Sequence, residues 1–405
     1  MRIMQINAVY PNLSTGRNVF EMNHYFRSKG HTCIAIFAQG SAAEDEGFAM
    51  GSLMDQKFHA LMSRVTGLQG YFSHKPTTDL IQQINCFQPD VVVLNNLHSN
   101  YIHFPKLMRH LAKKNIATVA VLHDCWFFTG KCCHYTVRRC YKWQEQCGHC
   151  PARKAYNKSW FFDRTKKMHY DKVKLFGDIQ NLGVVAVSDW LLKEAKRSAV
   201  FKHTEELQRI YNWIDTARFA PRETIEKRKT MGLLGKKVIL CVASIWSEEK
   251  GIDSVYKVAD QLIDNEVIVL VGKMPVSTPA HKKIIQIDRT DSIDELAELY
   301  SMADVFFQPS LEESCGKVSA EALSCGTPVI CFDSTANPEM VQAGCGKVIP
   351  AGNIDGVASA IREITSCEKS AYSHACRAMA LEKFQMQNNI EEYARLFERL
   401  SGCKA

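Results

Sequence analysis

Two glutamates lie eight positions apart in the stretch LEESCGKVSAEALSCGTPVICF, residues 311–332. Glu313 precedes a predicted helix that begins near Gly316, and Glu321 lies inside this helix. Backbone N–H groups at a helix start bind anions such as a diphosphate, and a carboxylate can accept two hydrogen bonds from a ribose diol. The stretch therefore predicts a nucleotide site. The alternative is a solvated loop for Glu312 and Glu313 and a helix surface for Glu321.

The predicted nucleotide site extends to a second segment of the chain. Lys250 and Gly251 follow the strand KVILCVAS, and Ser244 ends that strand. We predict that Lys250 binds an anion there, and the less favoured alternative is a surface lysine ahead of a helix. The loop and first helical turn after Glu313 complete the predicted set: Ser314, Cys315, Gly316, Lys317 and Val318.

A second constellation follows strands in the first half of the chain. His123 and Asp124 end the strand IATVAVLHD, and Gly16 and Arg17 follow the first strand. We predict that His123 faces a ligand at this strand end, that Gly16 lets the backbone approach a phosphate or sugar, and that Arg17 and Asp124 face an acceptor. The alternatives are a hydrogen-bonded core histidine and a solvated arginine.

Short apolar strands alternate with amphipathic helices along the whole chain, and the pattern restarts after RIYNWIDTARFAPRE. This alternation predicts an α/β fold with two Rossmann-like domains, each built on a parallel sheet. We assign residues 1–213 and a closing helix at about 384–405 to the first domain, and 214–383 to the second. Because ligands bind beyond the carboxyl ends of parallel strands, two facing sheets would hold them in a cleft.

Composition excludes several classes of protein. The net charge of +7 favours an anionic substrate or membrane surface, and no zinc-finger spacing or long basic tract supports nucleic-acid binding. No G-x-G-x-x-G fingerprint follows the first strand, which argues against a dehydrogenase. No apolar run is long enough for a membrane span, and the N-terminus resembles a strand more than a signal peptide. We therefore expect a cytoplasmic protein.

Six of the sixteen cysteines crowd into residues 125–150. The C-x2-C pair at Cys147 and Cys150, together with earlier thiols, has spacing that suits tetrahedral zinc. Reduced packing cysteines, or a disulfide formed after purification, are the alternatives. Four thiolates would leave no open position for catalysis, so any such metal is predicted to be structural.

The chain resembles the family 4 retaining glycosyltransferases, which have the GT-B fold. The resemblance rests on the two glutamates with seven residues between them, on the EAL helix with the CGTPV strand entry, and on ANPEMV at 336–341. It implies that Glu313 contacts the transferred hexose and that Glu321 contacts the ribose. It also implies that His123 touches the sugar or its acceptor and that the last helix crosses back to the first domain. Relatives carry an arginine where this chain has Ser244.

A subset of this family is similar to the present chain in its cysteine-rich insertion, 125–151, with HDCW, FTG and a closing C-x2-C-P. That pattern implies four zinc ligands, Cys132, Cys140, Cys147 and Cys150, and leaves Cys133 spare. No cofactor is expected for catalysis.

The resemblance implies transfer of a hexose from a nucleoside-diphosphate sugar to a saccharide or polyprenyl-linked acceptor in surface polysaccharide synthesis. The basic and aromatic segments 55–73 and 152–176 could contact anionic lipid at the inner face of the membrane, or could be solvated surface. A sugar-nucleotide epimerase and an inactive zinc-stabilised binding protein are the alternative functions.

Overall fold

The structure is a computed structural model that describes residues 1–275 and 279–403. The chain divides into two compact domains, the first formed by Met1–Ile210 with Ile390–Ala405 and the second by Tyr211–Asn389. Both domains are α/β units with parallel sheets, which confirms the predicted fold class. Among the described residues, no helix combines the length and the apolar character that crossing a bilayer requires.

The first domain contains a seven-stranded sheet in the order β3-β2-β1-β4-β5-β6-β7. Its strands are β1 (Arg2–Tyr10), β2 (Thr32–Gly40), β3 (Gly47–Ala49), β4 (Val91–Leu94), β5 (Ala117–Leu122), β6 (Leu182–Ala186) and β7 (Glu206–Arg209). Its helices are α1 (Leu13–Ser28), α2 (Leu53–Thr66), α3 (His74–Phe87), α4 (Phe104–Lys114), α5 (Thr165–Gly177) and α6 (Asp189–Arg197). The central strands β4 and β5 are entirely apolar or small and buried, as expected for a sheet covered on both faces.

The second domain contains a six-stranded sheet in the order β10-β9-β8-β11-β12-β13. Its strands are β8 (Lys237–Ile245), β9 (Glu266–Lys273), β10 (Ile284–Ile287), β11 (Val305–Gln308), β12 (Val329–Phe332) and β13 (Gly346–Ile349). Its helices are α7 (Ile225–Thr230), α8 (Ile252–Asp260), α9 (Ile293–Met302), α10 (Lys317–Ser324), α11 (Ile354–Thr365) and α12 (Ser370–Phe384). Apolar side chains pack in one cluster on each face of this sheet.

The last helix, α13 (Met386–Ser401), returns the chain to the first domain from Ile390 onward, as predicted. There Phe397 packs against Phe26 of α1 with ring centroids 5.5 Å apart, and the Tyr25 hydroxyl donates a hydrogen bond to Glu391. The terminal helix is therefore an integral part of the first domain.

In each sheet the strand order reverses beside the first strand of the domain, at β1 and β4 in the first and at β8 and β11 in the second. Such reversal points leave a crevice at the carboxyl ends of the strands, where ligands bind in open α/β sheets. Gly16 and Arg17 follow β1, and His123 follows β5. Lys250 follows β8, and Glu313 follows β11.

Candidate functional site

Lys250 and Glu313 meet at the reversal point of the second sheet. The Lys250 Nζ lies 2.5 Å from Glu313 Oε1. The lysine side chain keeps 38% of its exposure and the glutamate 15%, so both groups can still be reached from solvent. Glu312 is only 3% exposed. The alternative of a solvated loop for these two glutamates is therefore wrong.

Gly251 explains how the lysine comes so close to the glutamate. Its φ of +77° is a left-handed conformation, and a Cβ at this position would lie 2.1 Å from the Pro309 carbonyl oxygen. The Leu311 N–H donates a hydrogen bond of 2.9 Å to the Glu249 carbonyl, which ties the two loops together. Only a glycine permits this contact without displacing a loop, and Lys250 is held beside Glu313 as a result.

The Glu313 loop is also fixed from its other side, by residues that follow β12. The Glu313 N–H donates to Thr335 Oγ1 at 2.8 Å, and the Ala336 N–H donates to the Glu313 carbonyl at 3.2 Å. The Asn337 side chain donates to the Ser310 carbonyl at 2.8 Å. The last two of these contacts belong to the predicted ANPEMV element, which forms a short 3-10 helix at Asn337–Met340. The carboxylate therefore projects from a rigid loop.

Helix α10 begins immediately after this loop, at Gly316 with φ +71° and without a side-chain cap. Two buried hydroxyl oxygens near the helix start, Ser314 Oγ and Ser319 Oγ, have no hydrogen-bond partner within the described residues. Buried polar atoms are normally paired, so such groups at an uncapped helix start are suited to receive a ligand. Burial raises the pKa of the Cys315 thiol to about 12, which makes this cysteine a packing residue and not a nucleophile.

Tyr300 is a partner of Glu321 that the sequence did not indicate. Its hydroxyl donates to Glu321 Oε2 at 3.0 Å, and burial followed by the charge of Glu321 raises the tyrosine pKa well above its usual value. Tyr300 is fully buried in the core, whereas Glu321 is half-buried. The tyrosine therefore holds one carboxylate oxygen of Glu321 in a fixed position.

The remaining predicted residues of the second domain lie at the edges of this group. Ser244 is exposed near the end of β8, next to an irregularity between Val242 and Ile245 in the pairing with β9. Lys317 and Val318 form the first turn of α10 and are half-buried.

In the first domain, His123 lies directly after β5 and is hydrogen-bonded through Nε2 to Asn95 Oδ1 at 3.0 Å. Asn95 follows β4, and its amide nitrogen donates to Gln5 Oε1 at 3.4 Å. Because the Asn95 oxygen must then be the acceptor, His123 carries a hydrogen on Nε2, and the neutral form of the ring would have its lone pair on Nδ1. Asn95 therefore fixes both the orientation and the tautomer of the histidine.

Both carboxylate oxygens of Asp124 have partners within the first domain. Its Oδ1 accepts from the Trp126 N–H at 2.7 Å, and its Oδ2 lies 2.9 Å from His98 Nε2. Burial alone would raise the pKa of this carboxyl, but the neighbouring His98 and the Trp126 N–H outweigh it and lower the pKa to about 2. The carboxylate is thus charged at neutral pH.

Gly16 and Arg17 have partners that sequence reasoning missed. A Cβ on Gly16 would lie 2.9 Å from the Val9 carbonyl oxygen. The glycine therefore lets helix α1 pack closely against strand β1. Arg17 Nε lies 2.7 Å from Glu21 Oε1, one helical turn later. The arginine charge is therefore partly balanced within α1.

The four cysteines predicted as zinc ligands, Cys132, Cys140, Cys147 and Cys150, line one cavity of the first domain. The neighbouring Cys150 thiol raises the pKa of the Cys132 thiol, and the Gly130 N–H donates to Cys147 Sγ at 3.2 Å. Within the described residues, the three ligand atoms that lie within 4.8 Å of one another belong to His98, Asp124 and Cys133, and no three of the four thiols are this close.

Comparison with known proteins finds a family match within the second domain. Residues 236–366 match the family described as Glycosyl transferases group 1. The chain is 25% identical over 233 residues to N-acetyl-alpha-D-glucosaminyl L-malate synthase of Bacillus anthracis, covering 55% of this chain and 61% of that protein. It is 26% identical over 183 residues to a GDP-mannose-dependent phosphatidylinositol dimannoside mannosyltransferase of Mycobacterium tuberculosis, covering 43% and 47%. The chain thus spans about half to three fifths of the curated relatives it matches.

Among solved structures, the chain is similar to HepE of Anabaena in complex with UDP-glucose. The match has a TM-score of 0.68, covers 100% of both chains and has 14% sequence identity. At this identity the likeness concerns the fold alone, and it confirms the predicted GT-B fold. The cleft predicted between the two domains stays a prediction.

Proposed function

We propose that this chain, whose residues 236–366 match the Glycosyl transferases group 1 family, is a retaining glycosyltransferase. In this proposal it moves a hexose from a nucleoside-diphosphate sugar to a saccharide or lipid-linked acceptor. The second domain binds the donor and the first domain binds the acceptor, and surface polysaccharide synthesis is the process that uses the product.

The observation that carries the proposal is the Lys250–Glu313 pair beside the uncapped start of α10. A lysine has three donors, so Lys250 can bind a phosphate oxygen while it remains close to Glu313. The helix start and the buried Ser314 hydroxyl offer further donors to the diphosphate. Glu321, held by Tyr300, is suited to accept hydrogen bonds from the ribose.

The same arrangement suits departure of the diphosphate with retention of the anomeric configuration. Negative charge develops on the phosphate as the glycosidic bond breaks, and Lys250 with the helix start stabilises that charge. The departing phosphate then accepts the proton of the acceptor hydroxyl on the same face of the sugar. Glu313 contacts the sugar, and His123 orients the acceptor or the sugar without serving as an obligatory base.

A lipid-linked acceptor is supported by an exposed apolar surface on the first domain. Helix α2 exposes Leu53, Met54 and Phe58, each by more than half of its surface. The exposed Trp160–Phe162 segment adjoins the end of this helix, because the Trp160 N–H donates a hydrogen bond of 2.7 Å to the Arg64 carbonyl. Exposed aromatic groups among lysines and arginines suit an anionic bilayer surface. Co-sedimentation with phosphatidylglycerol vesicles, lost in Phe58→Ser, is the expected result, and equal sedimentation of both proteins would contradict it.

We also propose that Cys132, Cys140, Cys147 and Cys150 hold a structural zinc ion. Their convergence on one cavity supports this, because four thiolates suit tetrahedral Zn²⁺ and leave no open coordination position. The ion would secure the insertion and take no part in transfer. Protein purified without chelator is expected to contain zinc that Cys147→Ser loses, whereas an unchanged zinc content in the variant would refute the assignment.

The transferase proposal is tested with a panel of UDP-, GDP- and ADP-sugars. One of these donors is expected to raise the melting temperature and to be turned over only when an acceptor is supplied, apart from slow hydrolysis. An anomeric product that keeps the donor configuration, measured by NMR, supports retention. Interconversion of the sugar without an acceptor would identify an epimerase, and binding without turnover across donors and acceptors would favour an inactive binding protein.

A further inference from the structure

Cys133, which has no role in the predicted four-thiol site, belongs to a different cluster. One ligand atom each of His98, Asp124 and Cys133 lies within 4.8 Å of the other two. His98 follows β4 and Asp124 follows β5, so both lie at the carboxyl end of the first sheet. The Cys125 N–H donates to the Cys133 carbonyl at 2.8 Å, which anchors the thiol to the same loop. Adjacent cysteines, Cys132 and Cys133, therefore face two separate groups.

His98 and Asp124 bring two metal-binding atoms close together. His98 Nε2 and Asp124 Oδ2 are 2.9 Å apart, the distance of an ion pair. This buried Nε2 has no other hydrogen-bond partner within the described residues. An imidazole nitrogen and a carboxylate oxygen held this close can both bind one cation in place of their mutual contact.

Neighbouring residues hold the three side chains in place. The Gln69 amide donates to the His98 carbonyl at 2.5 Å, and Trp126 Nε1 donates to Gln69 Oε1 at 2.8 Å. The Trp126 N–H donates to the second oxygen of Asp124. Such outer hydrogen bonds orient metal ligands before an ion binds.

Two buried lysines, Lys131 and Lys172, lie near the cluster. The Lys172 ammonium donates to the carbonyls of Trp126 and Thr129, and the Lys131 ammonium donates to three other backbone carbonyls. Among the described ion pairs, the partner of Asp124 is His98 and neither lysine. His134 adds a buried Nδ1 that has no hydrogen-bond partner in the described part of the chain, close enough to act on the charge of Asp124.

We propose that His98, Asp124 and Cys133 form a Zn²⁺-binding site in the first domain, distinct from the four-thiol cavity. One imidazole nitrogen, one carboxylate oxygen and one thiolate sulfur are ligands that zinc accepts together. Three protein ligands leave a fourth position for His134 or for an oxygen of a bound molecule. The site lies beside His123, and its metal binding does not depend on the proposed transfer reaction.

The test measures metal bound to the full chain after reconstitution with zinc alone and removal of excess by gel filtration. Cys133→Ser is expected to lower the zinc content by one equivalent, whatever the four-thiol cavity binds. His98→Gln is expected to weaken zinc affinity at least tenfold, or by about 1.4 kcal/mol. Exposed residues of the same domain supply matched controls, Cys86→Ser and His203→Gln, which should retain the wild-type content.

Cobalt substitution gives a second readout that a loss of folding does not mimic. The thiolate-to-cobalt charge-transfer absorption of the wild type should lose intensity in Cys133→Ser, while circular dichroism and the melting temperature of the metal-free proteins stay alike. An unchanged zinc content and an unchanged cobalt spectrum in Cys133→Ser would overturn the proposal. If this variant does not fold, zinc affinity in His98→Gln decides the matter, and wild-type affinity there would overturn it.

Discussion

Replacing Gly251 by alanine tests how the fold positions Lys250 beside Glu313. The added Cβ would lie 2.1 Å from the Pro309 carbonyl oxygen, more than 1 Å inside the 3.4 Å at which ordinary contact begins. The two nearest atoms belong to the Pro309 backbone and the third is its Cβ, and none of them can rotate away as the end of a flexible side chain could. One of the two loops must therefore move by about the length of the overlap.

Two contributions determine how much stability Gly251→Ala is expected to lose. An alanine at φ +77° costs about 1 kcal/mol in conformational strain. Overpacking against Pro309 adds about 1–3 kcal/mol. The Lys250–Glu313 ion pair itself contributes about 1 kcal/mol or less to stability, because the lysine is 38% exposed and screened by water. We therefore expect a loss of about 2–4 kcal/mol in the free energy of unfolding.

The effect on the donor is expected to be separable from this loss of stability. A shift of about 1 Å moves Lys250 away from both the carboxylate and the diphosphate, and such misplacement weakens binding at least tenfold, or about 1.4 kcal/mol. The assay is calorimetric titration with the best nucleotide of the sugar-nucleotide panel, well below the melting temperature of the variant.

Gly232 supplies the matched control, since it has φ +67°, lies in the same domain and has no atom within 4 Å of the position of an added Cβ. Gly232→Ala should lose only about 1 kcal/mol of stability from its backbone conformation and should bind the nucleotide as the wild type does. Equal nucleotide affinities in the two alanine variants would refute the argument that close loop contact at Gly251 positions Lys250.

Two further predictions concern buried partners of polar groups. Tyr300→Phe removes the hydroxyl that holds Glu321, so we expect a loss of about 2 kcal/mol in stability and a higher KM for the sugar nucleotide; an unchanged KM would contradict the ribose role of Glu321. His59 accepts a hydrogen bond from the Gly70 N–H through Nε2, and burial, with smaller effects of neighbouring histidines, lowers its pKa to about 3. Because the unfolded chain binds this proton below about pH 6.5 and the folded chain does not, stability should fall as the pH decreases from 6.5 toward 3, by about 2 kcal/mol at pH 5. His59→Gln should flatten the unfolding free energy over this range, and an equally steep profile would contradict the assignment.

The strands that sequence reasoning located are those with continuous apolar runs. KVILCVAS and IATVAVLHD form β8 and β5 because each sheet buries both of their faces. Two short edge strands were missed, β3 (Gly47–Ala49) and β7 (Glu206–Arg209). The second of these, ELQR, is polar and half-buried, and it becomes a strand only because β6 is available to pair with it.

The candidate site was predictable where one residue type at a fixed distance from a strand carries the chemistry. The positions of Glu313, Glu321 and Lys250 after strands or in a helix were predicted in this way, and their roles stay predictions. The partners of Glu321 and His123 were not predictable, because Tyr300 and Asn95 reach them only through the packing of distant elements of their own domains. The stretch that follows β12 carried a usable signal, since its Pro-Glu helix start marks the segment that fixes the Glu313 loop.

The cysteine-rich insertion shows the same limit. The spacing pointed to the Cys147 and Cys150 pair, and the family resemblance added Cys132 and Cys140; all four line one cavity. Spacing could not reveal that Cys133 faces the other way, toward a histidine and an aspartate that follow two different strands. These three side chains become neighbours only because the parallel sheet brings the ends of β4 and β5 together.

Release of nucleoside diphosphate from a sugar nucleotide, with acceptor present, tests the central claim most directly. The account predicts turnover by the wild type and a loss of at least about 100-fold in kcat for Glu313→Gln, because a charge placed at the reacting sugar is removed. Glu248→Gln is the matched control, since Glu248 is exposed in the neighbouring loop, and it should retain wild-type turnover. Wild-type turnover in Glu313→Gln, or no turnover of any UDP-, GDP- or ADP-sugar by the wild type, would contradict the account.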